Sequence, residues 1–225
     1  MNFDTFIQIG AGAADRDSRA DYRDWFTEYV KSRGNQHDNV ILVEANPINI
    51  PELRKAWVEY PKAKILNLGI TGEDVPGEVL KFYYAQEDEP HFQVTSAIED
   101  HVLRHYPNSA IMNFSIPCLG INKFFKNYVN GKKISLLAID VEGLDYEILM
   151  ALDLEINSPR FISFEKIHAS NADEVFNRLK AFGYSEVKNP WDYFGYDILF
   201  RKNQKFKIPR IDRILRKSSV QGTFG

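Results

Sequence analysis

The sequence has little of what marks secreted, membrane-spanning or nucleic-acid-binding proteins. It carries one cysteine, Cys118, in 225 residues. Intrachain disulfides are therefore excluded, and the chain suits a reducing compartment. The longest apolar run is five residues, Ile148 to Leu152, far short of the ~20 that cross a bilayer. No basic segment followed by an apolar stretch stands near the start. A secretory signal is not expected, and a cytoplasmic location is. Basic residues do not dominate: 28 Lys and Arg face 31 Asp and Glu, for a formal charge of -3. A dedicated nucleic-acid binder is thus not expected. Internal repeats and low-complexity tracts are missing too. What is present, 44% hydrophobic and 26% charged residues, suffices for one sizeable core in a single domain.

The charge is unevenly spread. From Arg201 onward there are eight Lys or Arg and one acid, Asp212, whereas residues 1–200 hold 20 bases and 30 acids, a net -10. Ile208, Ile211, Ile214 and Leu215 are interleaved with those bases, the pattern of a short amphipathic helix. The tail is expected to dock on the acidic body or on a second copy of the chain, a homo-oligomer. The sharper alternative is contact with an anionic polymer or membrane surface.

Short apolar runs alternate with helical patterns. Phe6 to Ile9, Val40 to Val43, Lys64 to Leu68, Ile134 to Ile139 and Phe161 to Phe164 read as strands. Ile134 to Ile139 has no polar alternation, as suits a strand buried on both faces. Ser18 and Asp21 read as a capping pattern ahead of a helix carrying Tyr22, Trp25, Phe26, Tyr29 and Val30. Pro51 opens a second helix with Leu53, Ala56, Trp57 and Tyr60 inward. Val79 to Tyr84 suggests an extra or edge strand. Thr95 to Tyr106 reads as helix, Pro107 to Gly120 as loop, and Ile121 to Val129 as helix again. Helices from Leu144 to Leu152 and from Ser170 or Asp173 to Gly183 follow the later strands. Tyr184 to Val187 and Tyr196 to Arg201 are expected to pair antiparallel. This alternation implies an α/β fold with a mostly parallel sheet.

Ligands of open α/β sheets bind beyond the carboxyl ends of the strands. Here those ends read Gly10-Ala11-Gly12, Glu44-Ala45-Asn46, Asn67-Leu68-Gly69, Asp140-Val141-Glu142-Gly143 and Glu165-Lys166-Ile167-His168. Gly10 and Gly12 let backbone approach a ligand closely. Glu44 can accept two hydrogen bonds from the vicinal hydroxyls of a ribose. A nicotinamide-dinucleotide oxidoreductase is a competing reading, but the third glycine is absent and Glu44 lies 34 residues after Gly10, against the ~20 of that fingerprint. A domain that binds a nucleoside or a partner without catalysis is the other alternative. Glu165 can orient His168, whose imidazole can take a proton near neutral pH. Asp140, Glu142 and Glu165 would also suit a hard divalent cation, though no metal is required. His37, His91, His101 and His105 lack acidic or cysteine partners at ligand spacing and receive no role.

Four stretches together, Phe6-Ile7-Gln8-Ile9-Gly10-Ala11, Val43-Glu44-Ala45-Asn46-Pro47, Ile139-Asp140-Val141-Glu142-Gly143 and Phe164-Glu165, resemble the FkbM family of S-adenosylmethionine-dependent methyltransferases. The match is in order and runs from about Thr5 to about Arg201, ending on Asp197-Ile198-Leu199-Phe200. The resemblance implies a class I methyltransferase (Rossmann-like) fold: a seven-stranded, mostly parallel sheet with an antiparallel last strand and helices on both faces. Residues 1–201 would form that domain and 202–225 a basic C-terminal tail. It further implies methyl transfer from S-adenosyl-L-methionine to a hydroxyl of a sugar or specialised metabolite. By the same resemblance Gly10, Ala11 and Gly12 pass under the methionine part of the cofactor, Glu44 with Ala45 and Asn46 holds the ribose side, and Asn67, Leu68 and Gly69 border the adenine. Asp140 lies beside the methionine amine or the transferred methyl. Gln8 stands where many members have an acid, Ala138 where a Lys is common, and Gly12-Ala13-Ala14 where a more polar stretch is common.

For such a transfer the expected base is His168 oriented by Glu165, with Asp140 as competitor. The acceptor, a small molecule or glycan hydroxyl, is expected at Trp191, Asp192 and Tyr193, where aromatic faces meet a sugar ring and Asp192 accepts its hydroxyls.

Overall fold

The computed structural model describes residues 4–14, 24–88, 94–166, 172–192 and 195–203. Ser18, Asp21, Tyr22, His168, Ser170, Tyr193 and the tail from residue 204 lie outside the described residues.

The central strands are β1 (Thr5–Ile9), β2 (Asn39–Glu44) and β3 (Ala63–Asn67), joined through α1 (Trp25–Ser32) and α2 (Ile50–Ala56). After β3 the chain leaves this sheet for β4 (Gly69–Thr71), β5 (Val79–Ala85), α3 (Glu99–His105), β6 (Ile111–Gly120) and α4 (Ile121–Phe124). It then returns as β7 (Ile134–Ile139), α5 (Asp145–Ala151), β8 (Phe161–Glu165), α6 (Ala172–Ala181), β9 (Tyr184–Val187) and β10 (Asp197–Lys202). The main sheet has seven strands in the order β3-β2-β1-β7-β8-β10-β9, and β10 runs antiparallel to both neighbours. With helices on both faces, this is the class I methyltransferase architecture.

The pleat explains why both faces are covered. Every residue of β1 and β7 is buried. Alternate side chains point opposite ways: Ile7, Ile41, Leu137 and Ile162 pack with Phe124, Ile148 and Val175, while Phe6, Val40, Leu42 and Leu136 pack with Phe26, Val30, Leu53 and Trp57. Helix α1 begins where Asp24 accepts the backbone N–H groups of Phe26 and Thr27 at 3.3 and 3.2 Å, as an N-cap should. Gln8 Nε2 donates to the same carboxylate at 3.1 Å and ties the cap to β1. Among the described residues no helix is long and apolar enough to cross a membrane.

Two expectations are corrected. The stretch from Pro107 to Gly120 is not a loop: Ile111–Gly120 is the middle strand of a second, three-stranded sheet ordered β4-β6-β5. Asn113, Ser115 and Pro117 face outward while Ile116, Cys118 and Gly120 are buried, so the period of two is present. Pro117 masks it, because it lies opposite Val79, where β5 begins. The helix of Thr95 to Tyr106 spans only Glu99–His105, since Ser96 instead pairs with Tyr83 through N–H···O bonds of 2.8 and 3.1 Å. The helix expected over Ile121 to Val129 is present, as one α-turn followed by a wide π-turn at Phe125–Val129, which Asn130 ends in the left-handed region.

Candidate active site

Strand order reverses at β1, whose neighbours are β2 and β7, and a crevice opens there beyond the strand ends. It holds a cavity of about 310 Å³, the size range of small-molecule sites. One end is built by the glycine turn. Gly10 and Ala11 both donate to the Val43 carbonyl, at 2.9 and 3.0 Å, and Asp140 N donates to Ile9 O at 2.9 Å. The Gly10 α-carbon thereby abuts the end of β7: a β-carbon there would lie 1.6 Å from the Asp140 carbonyl oxygen, and φ is +83°. Only glycine fits.

Glu44 is 6% exposed and accepts from Gly12 N (2.7 Å) with Oε2 and from Asn46 N (2.7 Å) with Oε1. Burial raises its carboxyl above the usual range against these hydrogen bonds. It lines the cavity with Ala45, Leu68 and Gly69. Asn46 and Asn67 do not reach the cavity wall. Asn67 Nδ2 donates to the carbonyls of Glu44 (2.9 Å) and Ala45 (3.0 Å), and Asn46 Oδ1 accepts from Ile48 N (3.0 Å). Both fix the loop that carries Glu44. Gln8 lines the cavity floor between β1 and α1.

The other end is acidic and aromatic. Asp140, Glu142 and Glu165 all line it, joined by Asp197, Trp25 and Trp191. Asp197 stands opposite Glu165 across β10 and β8 and accepts a hydrogen bond from Trp25 Nε1. The Trp191 ring lies 5.7 Å from that of Tyr29. Asp192, expected to accept acceptor hydroxyls, instead bonds its own turn, taking Gly195 N (2.9 Å) and Asp197 N (3.0 Å). His168 and Tyr193 lie outside the described residues.

Crowding sets the protonation of these acids. Asp140 is exposed to the cavity yet sits deep in protein. That loss of bulk water, then the charges of Glu142, Asp145, Asp197 and Glu165, holds its carboxyl well above the usual range. Burial and then Glu142 and Asp197 push Glu165 up to about 7. Asp197 is raised to about 6 by burial and by Asp192 and Asp24, against its bond from Trp25. Behind them Asp145, 3% exposed on the first turn of α5, is raised to about 8, chiefly by burial. Each of these groups binds a proton more tightly folded than unfolded, so the stability it contributes is complete below about pH 4 and lost as pH rises through 6 to 8. The melting temperature of the ligand-free protein should therefore fall from pH 6 to pH 8.5, and Asp145→Asn should flatten that slope. A melting temperature that rises over the range would show the acids to be ionised in the fold.

Sequence reasoning missed Asp197, Trp25 and His101. His101 Nε2 lies 2.9 Å from Glu142 Oε2 and the ring is 4% exposed, which corrects the expectation that it has no acidic partner. No local spacing could reveal a contact across 41 residues. Asp197 could have been found, because the expected antiparallel pairing brings the start of β10 beside the end of β8. Among the described residues no three His, Cys, Asp or Glu side chains are grouped to hold a metal ion. Asp140, Glu142 and Glu165 thus do not form a ligand set for a divalent cation.

The model of the Methyltransferase FkbM domain matches residues 8–186. No curated protein matches the chain. Among solved structures, fibrillarin pre-rRNA processing protein of Methanococcus jannaschii is 13% identical with a TM-score of 0.42, over 89% of this chain and 67% of that one. Precorrin-6y C5,15-methyltransferase of Geobacter metallireducens is 14% identical with a TM-score of 0.42, over 90% and 82%. The N-methyltransferase NodS of Bradyrhizobium japonicum is 12% identical with a TM-score of 0.41, over 89% and 86%.

Proposed function

Since the chain belongs to the FkbM methyltransferase family and is thereby an S-adenosylmethionine-dependent methyltransferase, we propose that it methylates a hydroxyl oxygen of a sugar or specialised metabolite. The family membership displaces the nicotinamide-dinucleotide reading. The observation that carries the proposal is the pairing of Glu165, raised to about 7, with Asp197 at the cavity's aromatic end. A hydroxyl is barely acidic in water, and a carboxylate whose proton affinity is near neutral is well matched to accept its proton.

The residues suit S-adenosylmethionine. The Gly10 cradle admits close backbone approach, the buried Glu44 carboxylate offers lone pairs to ribose hydroxyls, and Leu68, Gly69 and Phe82 give an apolar wall for a purine. The acids beyond Asp140 favour a cation over a neutral ligand. When bound, the cofactor supplies an electrophilic methyl group on a positively charged sulfur. Glu165 accepts the hydroxyl proton, and Trp191 and Trp25 hold the acceptor and exclude water. Trp191→Ala should raise the acceptor KM by roughly tenfold, the loss of one aromatic platform; an unchanged KM would remove the acceptor from this wall.

Methyl turnover from labelled S-adenosylmethionine against a panel of sugars, polyols and amines tests the proposal. Transfer to oxygen supports it. Transfer to amines alone, or cofactor binding with no turnover, would overturn it, the latter in favour of a domain that binds without catalysis.

A further inference from the structure

Glu142 is one of four non-glycine residues with positive φ among the described residues, at +53°, in a region where a β-carbon is disfavoured. Such a conformation persists only where the surroundings over-determine it, and it is a pointer to function. Two tertiary bonds hold Glu142 there. Ser96 Oγ donates to its carbonyl at 2.7 Å, and His101 Nε2 meets its carboxylate at 2.9 Å. A carboxylate only accepts, so Nε2 carries the hydrogen. Both partners come from the segment between β5 and β6, outside the main sheet. Ser96 is fully buried and itself bridged to Tyr83, so the segment is anchored independently of the site.

The contact is also shaped from below. A β-carbon on Gly143, φ +103°, would lie 3.2 Å from His101 Nδ1, so the imidazole packs directly on the turn. Behind it, His105 Nδ1 lies 3.0 Å from the His101 carbonyl, and its ring centroid is 4.8 Å from that of His101 with the planes tilted by 43°. Glu142 meanwhile faces like charges, since Asp140 and Glu165 both feel its charge. Left to itself, a carboxylate on such a turn would swing away from its acidic neighbours. The buried imidazole opposes this.

We infer that His101 is a positioning residue: it fixes the Glu142 carboxylate at the acceptor end of the cavity, where Glu142 accepts a hydrogen bond from a second hydroxyl of the acceptor and so orients the reacting one. The inference rests on hydroxyl methylation as proposed above and narrows the acceptor to a polyol, a molecule with a neighbouring hydroxyl. His101 occupies Oε2 alone, and a carboxylate has lone pairs for further donors. Glu142 lines the cavity with Glu165, whose proton affinity its charge raises.

Three substitutions and three readouts test it. His101→Ala should lower kcat/KM for the acceptor by roughly 10²-fold, the scale of a small misplacement of reacting groups, and leave S-adenosylhomocysteine affinity by calorimetry unchanged. His101→Gln, whose Nε2 can reach the same position, should recover most of the loss. In a Glu142→Gln background His101→Ala should cost little more, about twofold or less, because its effect passes through Glu142. The acceptor-independent readout is the His101 side-chain resonance in long-range 1H–15N spectra, which should shift on Glu142→Gln. If that resonance does not move, or if the two losses simply multiply, His101 does not act on Glu142 and the inference falls. Lost S-adenosylhomocysteine affinity would place Glu142 on the cofactor and overturn it as well. If the resonance responds but the wild type methylates no hydroxyl, the hydroxyl reading fails, and the polyol assignment with it.

Discussion

Glu165→Gln is expected to lower kcat by roughly 10²- to 10⁴-fold, the usual worth of a positioned proton acceptor, with S-adenosylhomocysteine affinity within a few-fold of wild type. The amide keeps the volume and one acceptor oxygen of the carboxylate but cannot take a proton. Burial and the charges of Glu142 and Asp197 hold the Glu165 carboxyl at about 7. Only the ionised form accepts the hydroxyl proton, so wild-type kcat/KM should rise with pH through about 7 and then level. Removing Asp197, which raises that value, should move the rise to lower pH. Single-turnover rates at saturating acceptor measure the loss in Glu165→Gln, and rates at sub-saturating acceptor from about pH 5.5 to 9 measure the pH dependence. If Glu165→Gln retains more than a tenth of the wild-type rate, the proton goes elsewhere, and Asp140 becomes the group to test.

Gly10→Ala should be the most damaging change to the fold at the site. The new methyl would lie 1.6 Å from the Asp140 carbonyl oxygen, with that residue's carbonyl carbon at 2.6 Å. Neither atom belongs to a flexible side chain, so relief requires β1 and β7 to separate at their ends. A left-handed φ costs a residue with a β-carbon about 1–2 kcal/mol, and overpacking adds about 1–3 kcal/mol. Together these remove a large part of a typical domain stability of about 5–15 kcal/mol. The melting temperature should fall by about 5–20 °C. S-adenosylhomocysteine affinity should drop at least about 100-fold if the shift displaces Asp140 and the Gly12 to Glu44 bond together, since 1.4 kcal/mol is a factor of ten. Gly12→Ala is the control. It has φ +52° but nothing within 4 Å of the added carbon, so in the ligand-free protein only the conformational cost applies and the loss of stability should be several-fold smaller. Equal effects at the two positions would mean that contact with Asp140 is not what selects glycine at Gly10.

The main sheet was legible because its central strands are buried on both faces. Ile134 to Ile139 and Val40 to Val43 are apolar without alternation, and their positions fix where the chain must end each strand. Glycine and acids at those ends then marked the crevice. The second sheet was not legible for a local reason. Strand β6 alternates Phe114, Ile116 and Cys118 with Asn113, Ser115 and Pro117, and a proline in a run argues against a strand unless it sits where pairing ends. Helix α1 was expected from its apolar stripe, but its cap, Asp24, owes its place to Gln8 on β1 as much as to its own helix.

Within the site the division is one of sequence distance. The cofactor end rests on contacts within and between strand ends that are neighbours in the sheet: Gly10 against Val43, Gly12 against Glu44. Strand order follows from short right-handed crossovers, so these residues could be brought together from the sequence pattern. The acceptor end is different. Glu142 meets His101, Trp25 meets Asp197, and Asp192 turns its carboxylate into its own loop rather than the cavity. The proton affinities that suit Glu165 and Asp197 to chemistry come from burial and from acids close in space, Glu142 and Asp197 acting on Glu165, Asp192 and Asp24 on Asp197. The sequence by itself determined the α/β sheet, the glycine turn and the acids at its rim, because periodicity and turn chemistry are local. Only the tertiary structure decided which acids share a cavity, which are spent on structure and which histidine holds one of them in place, because desolvation and charge repulsion depend on distances in space that spacing along the chain does not encode.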